Sequence, residues 1–199
     1  MKAHQYPLYT MVHPIDGFEE MRFYNAGRVG YALLIVLLWF LAVIAERQLT
    51  GAAINFNRLS RLNVIVLLLR SGLLYVLWVV SNWALCTLLE GEGSFKNIAV
   101  ASAYALSPLV IALVAATILS RLVTIDERIF IVWLKYVGVV WSGFVLVSGM
   151  KVIHGYSFPK TIVSVVLTIV GMALIIFVFI LVFALFQQLY AFVMTLVSE

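Results

Sequence analysis

The chain has 199 residues, almost two-thirds of them apolar and only 11% charged, with a mean hydropathy of +1.11. A soluble domain carries about a quarter charged residues, so a water-soluble globular domain is excluded. The net charge of +4 is small and dispersed, which suits anionic lipid headgroups and gives no stripe for nucleic acid.

Residues 1–12 show no periodic pattern and are expected to be flexible. His13-Pro14 opens an ordered element, with Asp16 as N-cap and Glu19 three residues on, the capping-box spacing. Phe18 and Met21 stand at i, i+3 among Glu19, Glu20 and Arg22, so Gly17 to Tyr24 reads as a short amphipathic helix. Such a helix lies on the membrane surface, or its Phe18, Met21 and Phe23 pack under a bundle, and the two are compatible. Asn25-Ala26-Gly27 breaks the chain. The expected division is a polar segment, 1–28, and a membrane domain, 29–199. The first apolar run is too long for a signal h-region, so no cleavable signal peptide is expected.

Five apolar runs follow. Val29 to Ala45 holds 17 residues without charge, Ser71 to Leu89 holds 19, and Asn97 to Ser120 holds 24. Ile129 to Met150 is broken only by Lys135, and Thr161 to Ser198 runs 38 residues without Asp, Glu, Lys or Arg. About 20 apolar helical residues cross the hydrocarbon core. The expected fold is therefore all-α, a polytopic integral membrane bundle of five transmembrane helices preceded by the amphipathic helix. The expected spans are 29–46, 64–89, 97–121, 129–150 and 161–186, with the helix continuing past Gln187. Leu49 to Asn63 is a loop holding Arg58 and Arg61, short enough to join the first two spans as a hairpin.

Gly91 and Gly93 permit positive φ and a tight reversal, and are expected to let the second and third spans pack as a close antiparallel hairpin, with Phe95 dipping into the interface. Pro108 is expected to kink the third span. Arg121 to Arg128 is a compact charged loop, and Met150 to Lys160 a polar turn. Positive-charge counting gives six Lys and Arg on the N-terminal side and seven on the other, two of these within spans, so it sets no orientation.

No catalytic set emerges. His4, His13 and His154 are far apart and outside the expected spans, and there is no zinc spacing, nucleophile elbow or phosphate loop. Cys86 is the single cysteine, so no internal disulfide forms. The chain is read as a non-enzyme without cofactor or metal. Charge within the bilayer is costly, which singles out Arg70, Asn82 and Lys135. Arg70 snorkels, pairs with Glu46 or Asp126, or lines a pathway. Lys135 carries the same alternatives, and Asn82 is interhelical glue or a transport ligand. No acid lies mid-span, which argues against a proton-coupled pump. The five tryptophans read mostly as packing. Ala112, Ala115, Ala116, Gly138, Ser142 and Gly171 offer small-residue surface for docking against another membrane protein.

Asn82-Trp83, Thr87-Leu88-Leu89, Gly91-x-Gly93-Ser94-Phe95-Lys96 and Tyr104-Ala105-Leu106-Ser107-Pro108 together resemble the Yip family. These are small five-span membrane proteins first known from Golgi membranes as interactors of Rab GTPases, with many bacterial members. His13-Pro14-x-Asp16-Gly17-Phe18 is similar to bacterial members. The resemblance implies a cytosolic N-terminus, a bacterial cytoplasmic membrane location and a scaffold role without catalytic residues. The candidate partner or packing contacts in this chain are Phe18, Met21, Gly91, Gly93, Phe95, Tyr104 and Pro108. The implied partners are membrane lipids and other integral membrane subunits, and the resemblance suggests an accessory place in a bacterial carbohydrate ABC importer. Two alternatives remain open at this stage: a lipid- or solute-moving protein with Arg70, Asn82 and Pro108 along its path, or a lipid organiser acting through residues 14–24 and the C-terminal tail.

Overall fold

A computed structural model of the chain describes residues 6–24, 26–52, 54–55 and 63–198, with side chains as far as residue 195. Arg58 and Arg61 lie outside the described residues. The described residues form helices and connecting turns: α1 (Tyr6–Val12), α2 (Pro14–Tyr24), α3 (Val29–Leu49), α4 (Val64–Leu88), α5 (Phe95–Ala105), α6 (Ser107–Leu119), α7 (Arg128–His154) and α8 (Phe158–Ser198). Five helical stretches are long and apolar enough to cross a membrane: Val29–Leu49, Val64–Leu88, Phe95–Leu119, Arg128–His154 and Phe158–Thr195. The third of these is the centre of the bundle. Its most apolar stretch is 61% buried, against 6% in the last.

That central position follows from small side chains. Val100, Ala101, Ala103 and Ala105 are all buried, so neighbouring backbones approach closely. The centre packs on α3 and α7, and α4 pairs with α8. The third span is broken at Leu106, where Pro108 sits in the first turn of α6 and cannot continue the ladder of α5. The Leu109 N–H donates instead to Ser142 Oγ of α7, at 3.0 Å. A neighbouring helix thus satisfies the freed backbone, as a bilayer demands. The same seam is tight further on, because a Cβ on Gly138 of α7 would overlap the Ala112 methyl. Ala112, Ala116, Gly138 and Ser142, expected as free docking surface, are buried inside the bundle.

The N-terminal residues correct a second expectation. Residues 6–12 form a helix. Tyr6 is buried, and its hydroxyl donates to Gly17 O and to Glu20, both at 2.9 Å. Burial, and after it the neighbouring Glu20, raises the Tyr6 pKa. The Trp141 indole N–H donates to Met11 O at 3.1 Å. A seven-residue helix has no stability of its own, so its signal lies in these tertiary contacts. Helix α2 begins at Pro14, not after Asp16. Proline suits a first helical position, and Asp16 then falls in the first turn, complementing the dipole. Phe18 and Met21 are buried against the bundle while Phe23 points outward. A Cβ on Gly149 would lie 2.9 Å from the Phe18 ring.

Helix α2 thus packs at one end of the bundle, the capped end, and α1 runs along its side from Tyr104 to Trp141; the largest buried cluster gathers around Phe18, Met21, Tyr104, Met150 and Ile153. At the opposite, open end Ile54, Ala116 and Ile131 form a smaller cluster among the described residues. There Gly51 N–H donates to Ser120 Oγ at 2.9 Å, and Arg121 Nε donates to Leu49 O at 3.1 Å. In the loop before α7, Glu127 accepts from the N–H and hydroxyl of Thr124, which holds its carboxyl below the usual range.

Candidate functional site

The capped end contains a polar knot in apolar surroundings. It is built where α4 ends, α7 ends and α8 begins. Helix α4 closes in a Schellman turn: the Gly91 N–H donates to Cys86 O at 2.8 Å, and Glu90 takes the left-handed position at φ 57°. Helix α7 closes the same way, with Tyr156 N–H donating to Lys151 O at 3.0 Å and Gly155 at φ 69°. Helix α7 therefore runs on to His154, past the expected end at Met150. The glycine turn also differs from expectation, since Gly91 and Gly93 do not carry the positive φ. They are glycines because another helix end lies on them. A Cβ on Gly93 would stand 2.5 Å from His154 Cε1 and Nδ1, and one on Gly91 would overlap the Tyr156 hydroxyl.

His154 is fully buried beneath this turn. Its Nε2 lies 2.9 Å from Asn82 Oδ1. Asn82 Nδ2 donates to Thr168 Oγ1 at 3.0 Å, and the Thr168 hydroxyl donates to Ser164 O at 2.7 Å. Because the amide nitrogen faces Thr168, the oxygen faces His154, so Nε2 carries the imidazole proton and Nδ1 is the acceptor. Ser81 Oγ donates to Thr168 O at 2.8 Å. A Cβ on Gly171 would stand 2.5 Å from Ser81 Oγ, so glycine sets the approach of α8 to α4. The buried face of α8 is Thr161, Ser164 and Thr168, a helical stripe of small polar residues. Asn82 is thus the hub that ties α4 to α7 and α8. His154 Nδ1 and the Tyr156 hydroxyl are buried without hydrogen-bond partners among the described residues. The two rings stack at 5.1 Å. Burial, and then the nearby Cys86 and Glu90, pushes the Tyr156 pKa up to about 12.

Arg22 of α2 clamps this knot from outside. It pairs with Glu92 of the glycine turn and donates from Nη1 to Val152 O of α7 at 2.6 Å. A guanidinium on the last carbonyls of a helix also complements its dipole. Tyr104 is buried alongside, with the Arg28 N–H donating to its hydroxyl at 3.2 Å. Phe95 remains exposed and rests edge-on against Trp83, ring centroids 5.9 Å apart. Ser94 caps α5 by accepting from Asn97 N–H at 3.2 Å. The Gly-x-Gly-Ser-Phe string is thus a helix end, a close crossing and a helix start in succession.

The charged residues expected within spans gather at the open end. Lys135 of α7 donates to Glu46 of α3 at 2.5 Å. Arg70 of α4 is exposed and pairs with neither Glu46 nor Asp126 among the described residues. Among those residues no group of three or more His, Cys, Asp or Glu side chains lies together as a metal site.

The family model for the Yip1 domain matches residues 8–181. The chain belongs to the Yip1-domain family. It is an integral membrane protein, as its five apolar helices and this match together show. No curated protein and no solved structure matches it. The Yip1 domain as matched takes in the glycine turn, the kinked central span and Asn82, and it ends within α8. Sequence reasoning had placed Asn82 as interhelical glue or a transport ligand, and the structure puts it in the knot. It missed His154, whose neighbours Lys151, Gly155 and Lys160 read as a polar turn. The pair Asn82 and His154, one on each of two spans ending on the same side, was the available signal.

Proposed function

We propose that this Yip1-domain protein is a non-enzymatic membrane adaptor that docks sideways against another integral membrane protein. One observation carries the reading. Helix α8 has 41 residues, about 60 Å at 1.5 Å per residue and about twice the hydrocarbon core. Its buried stripe ends at Thr168, its half-buried positions end at Ile175, and every residue from Ile176 to Thr195 is exposed. That stretch presents Phe177, Phe179, Phe183, Phe186 and Tyr190, large apolar side chains that are each more than half exposed. The small-residue seams are spent on internal packing, so this aromatic half-helix is the surface offered to a partner. Chemistry is supported less well, because the buried histidine serves a packed interhelical knot.

A photo-crosslinker placed at Phe179, Phe183 or Phe186 in native membranes tests the reading. Discrete adducts with one membrane protein are expected there. Adducts with lipid alone would remove the adaptor reading. The partner class suggested by resemblance is a bacterial carbohydrate ABC importer. In that case, truncation after Gln187 reduces uptake and leaves the importer's ATPase running.

A further inference from the structure

At the open end α3 and α4 touch at only a few points, and a cavity of about 350 Å³ lies between them. Its walls are Trp39 and Val43 of α3 with Leu67 and Leu74 of α4, and its polar rim holds Arg47 and Arg70. Arg47 stands two residues before the end of α3, and Arg70 six residues after the start of α4. At 1.5 Å per residue these positions lie about 3 and 9 Å below the helix ends, within reach of the headgroup layer for an arginine stem. Glu46 also lines the cavity, but its carboxylate is held by Lys135. Both side chains are exposed, so the cleft presents two guanidinium groups near headgroup depth with no ion-pair partner among the described residues. A phosphate diester accepts paired N–H bonds from such groups.

We infer that the cleft between α3 and α4 binds one anionic phospholipid from the leaflet at the open end. Its phosphate sits between Arg47 and Arg70, and one acyl chain lies along Val43, Leu67 and Leu74. The occupant follows from shape and charge together. A cavity of about 350 Å³ has room for no more than about one turn of a partner helix, which is about 10 Å across with a 5.4 Å pitch. A free phosphate would leave the apolar walls uncovered, whereas a lipid fills both halves. The site is on α3 and α4, so the inference stands independently of docking through α8.

The test uses the full chain in mild detergent, titrated with phosphatidylglycerol or phosphatidylcholine of matched acyl chains and read by native mass spectrometry. Wild type is expected to retain phosphatidylglycerol about tenfold better, a difference of about 1.4 kcal/mol. R47Q/R70Q is expected to lose that preference, and K96Q, at the capped end, to keep it. L74W fills the apolar wall and leaves both arginines in place, so it is expected to weaken phosphatidylglycerol binding in a chain with its charges intact. Equal binding of the two lipids by wild type, or a preference that survives in R47Q/R70Q, overturns the inference. So does full competition by millimolar inorganic phosphate, which would mark a soluble-anion site. If R47Q/R70Q does not fold, L74W against K96Q decides: unchanged binding in L74W overturns the lipid site.

Discussion

The two ends of this bundle are held by different means. At the capped end, α2 packs on α7, the glycine turn sits on the end of α7, and Asn82 and His154 join three helices. At the open end, among the described residues, the Lys135–Glu46 ion pair and hydrogen bonds from Gly51 and Arg121 tie the spans, and α3 and α4 touch at only a few points. Lipid tails are as apolar as leucine, so burial alone draws no two spans together. Order therefore appears where small residues allow close approach and polar groups find partners. The capped end has both. The open end has charges and gaps, which suit it to bind lipid or adjust to a partner.

The largest effect is expected where the two helix ends cross. Gly93→Val places a branched side chain where the His154 ring stands. Nothing there is the far end of a flexible chain, so the turn or α7 must move. A loss of about 3 kcal/mol is expected, at the upper limit for overpacking. Thermal unfolding in detergent reads it directly. A melting temperature within a degree of wild type would mean that the capped end is loosely built.

A smaller loss is expected from the knot. Asn82→Leu removes the acceptor for His154 and the donor to Thr168. Asn82→Leu, His154→Leu and the double variant form a cycle. The coupling is expected at about 0.6–1.7 kcal/mol, the range that such cycles give for polar pairs between membrane helices. Additive losses would show that the imidazole and the amide do not act together.

The architecture was legible because bilayer thickness is a ruler. Runs of apolar residues measured against it locate Val29–Leu49 and Phe95–Leu119 to within a few residues. Pro108 announced the break in the third span, because a missing N–H is a property of the residue itself. What stayed hidden depends on neighbours. The seven residues of α1 are helical because Tyr6 and Met11 are held by α2 and Trp141. Gly91 and Gly93 looked like turn glycines, and only the position of α7 shows that they are crossing glycines. Small residues such as Gly138 and Ala112 read the same from sequence whether they face a partner or each other. Of the residues singled out as charged or polar within spans, Asn82 enters the knot, while Arg70 and Lys135 belong to the open end.

At that open end Lys135→Met is expected to cost less than any change in the knot. It breaks the pair with Glu46, but both side chains are about a quarter to a third exposed, so water or headgroups take over their hydrogen bonds. A loss below about 1 kcal/mol is expected. Half-molar salt should change wild-type stability by no more than that. A loss as large as that of Asn82→Leu would erase the contrast between the two ends.

The smallest expected change is a gain, and it concerns the helix ends themselves. Both α4 and α7 close with a residue in the left-handed region at the capped end. Helix α7 uses Gly155 there, and a Cβ on it would meet the Arg22 guanidinium at 3.0 Å. Helix α4 uses Glu90, whose Cβ is strained at φ 57°. Among the described residues the Glu90 side chain makes no hydrogen bond or ion pair, so little beyond its charge near Tyr156 opposes a change to glycine. Glu90→Gly relieves the strain but frees the unfolded chain, and the two partly cancel. A net stabilisation of about 0.5 kcal/mol is expected in the detergent melt. The reciprocal Gly155→Ala should be destabilising, since it adds backbone strain and crowds Arg22. If both variants moved stability the same way, the left-handed turns would not be the feature that closes these two helices.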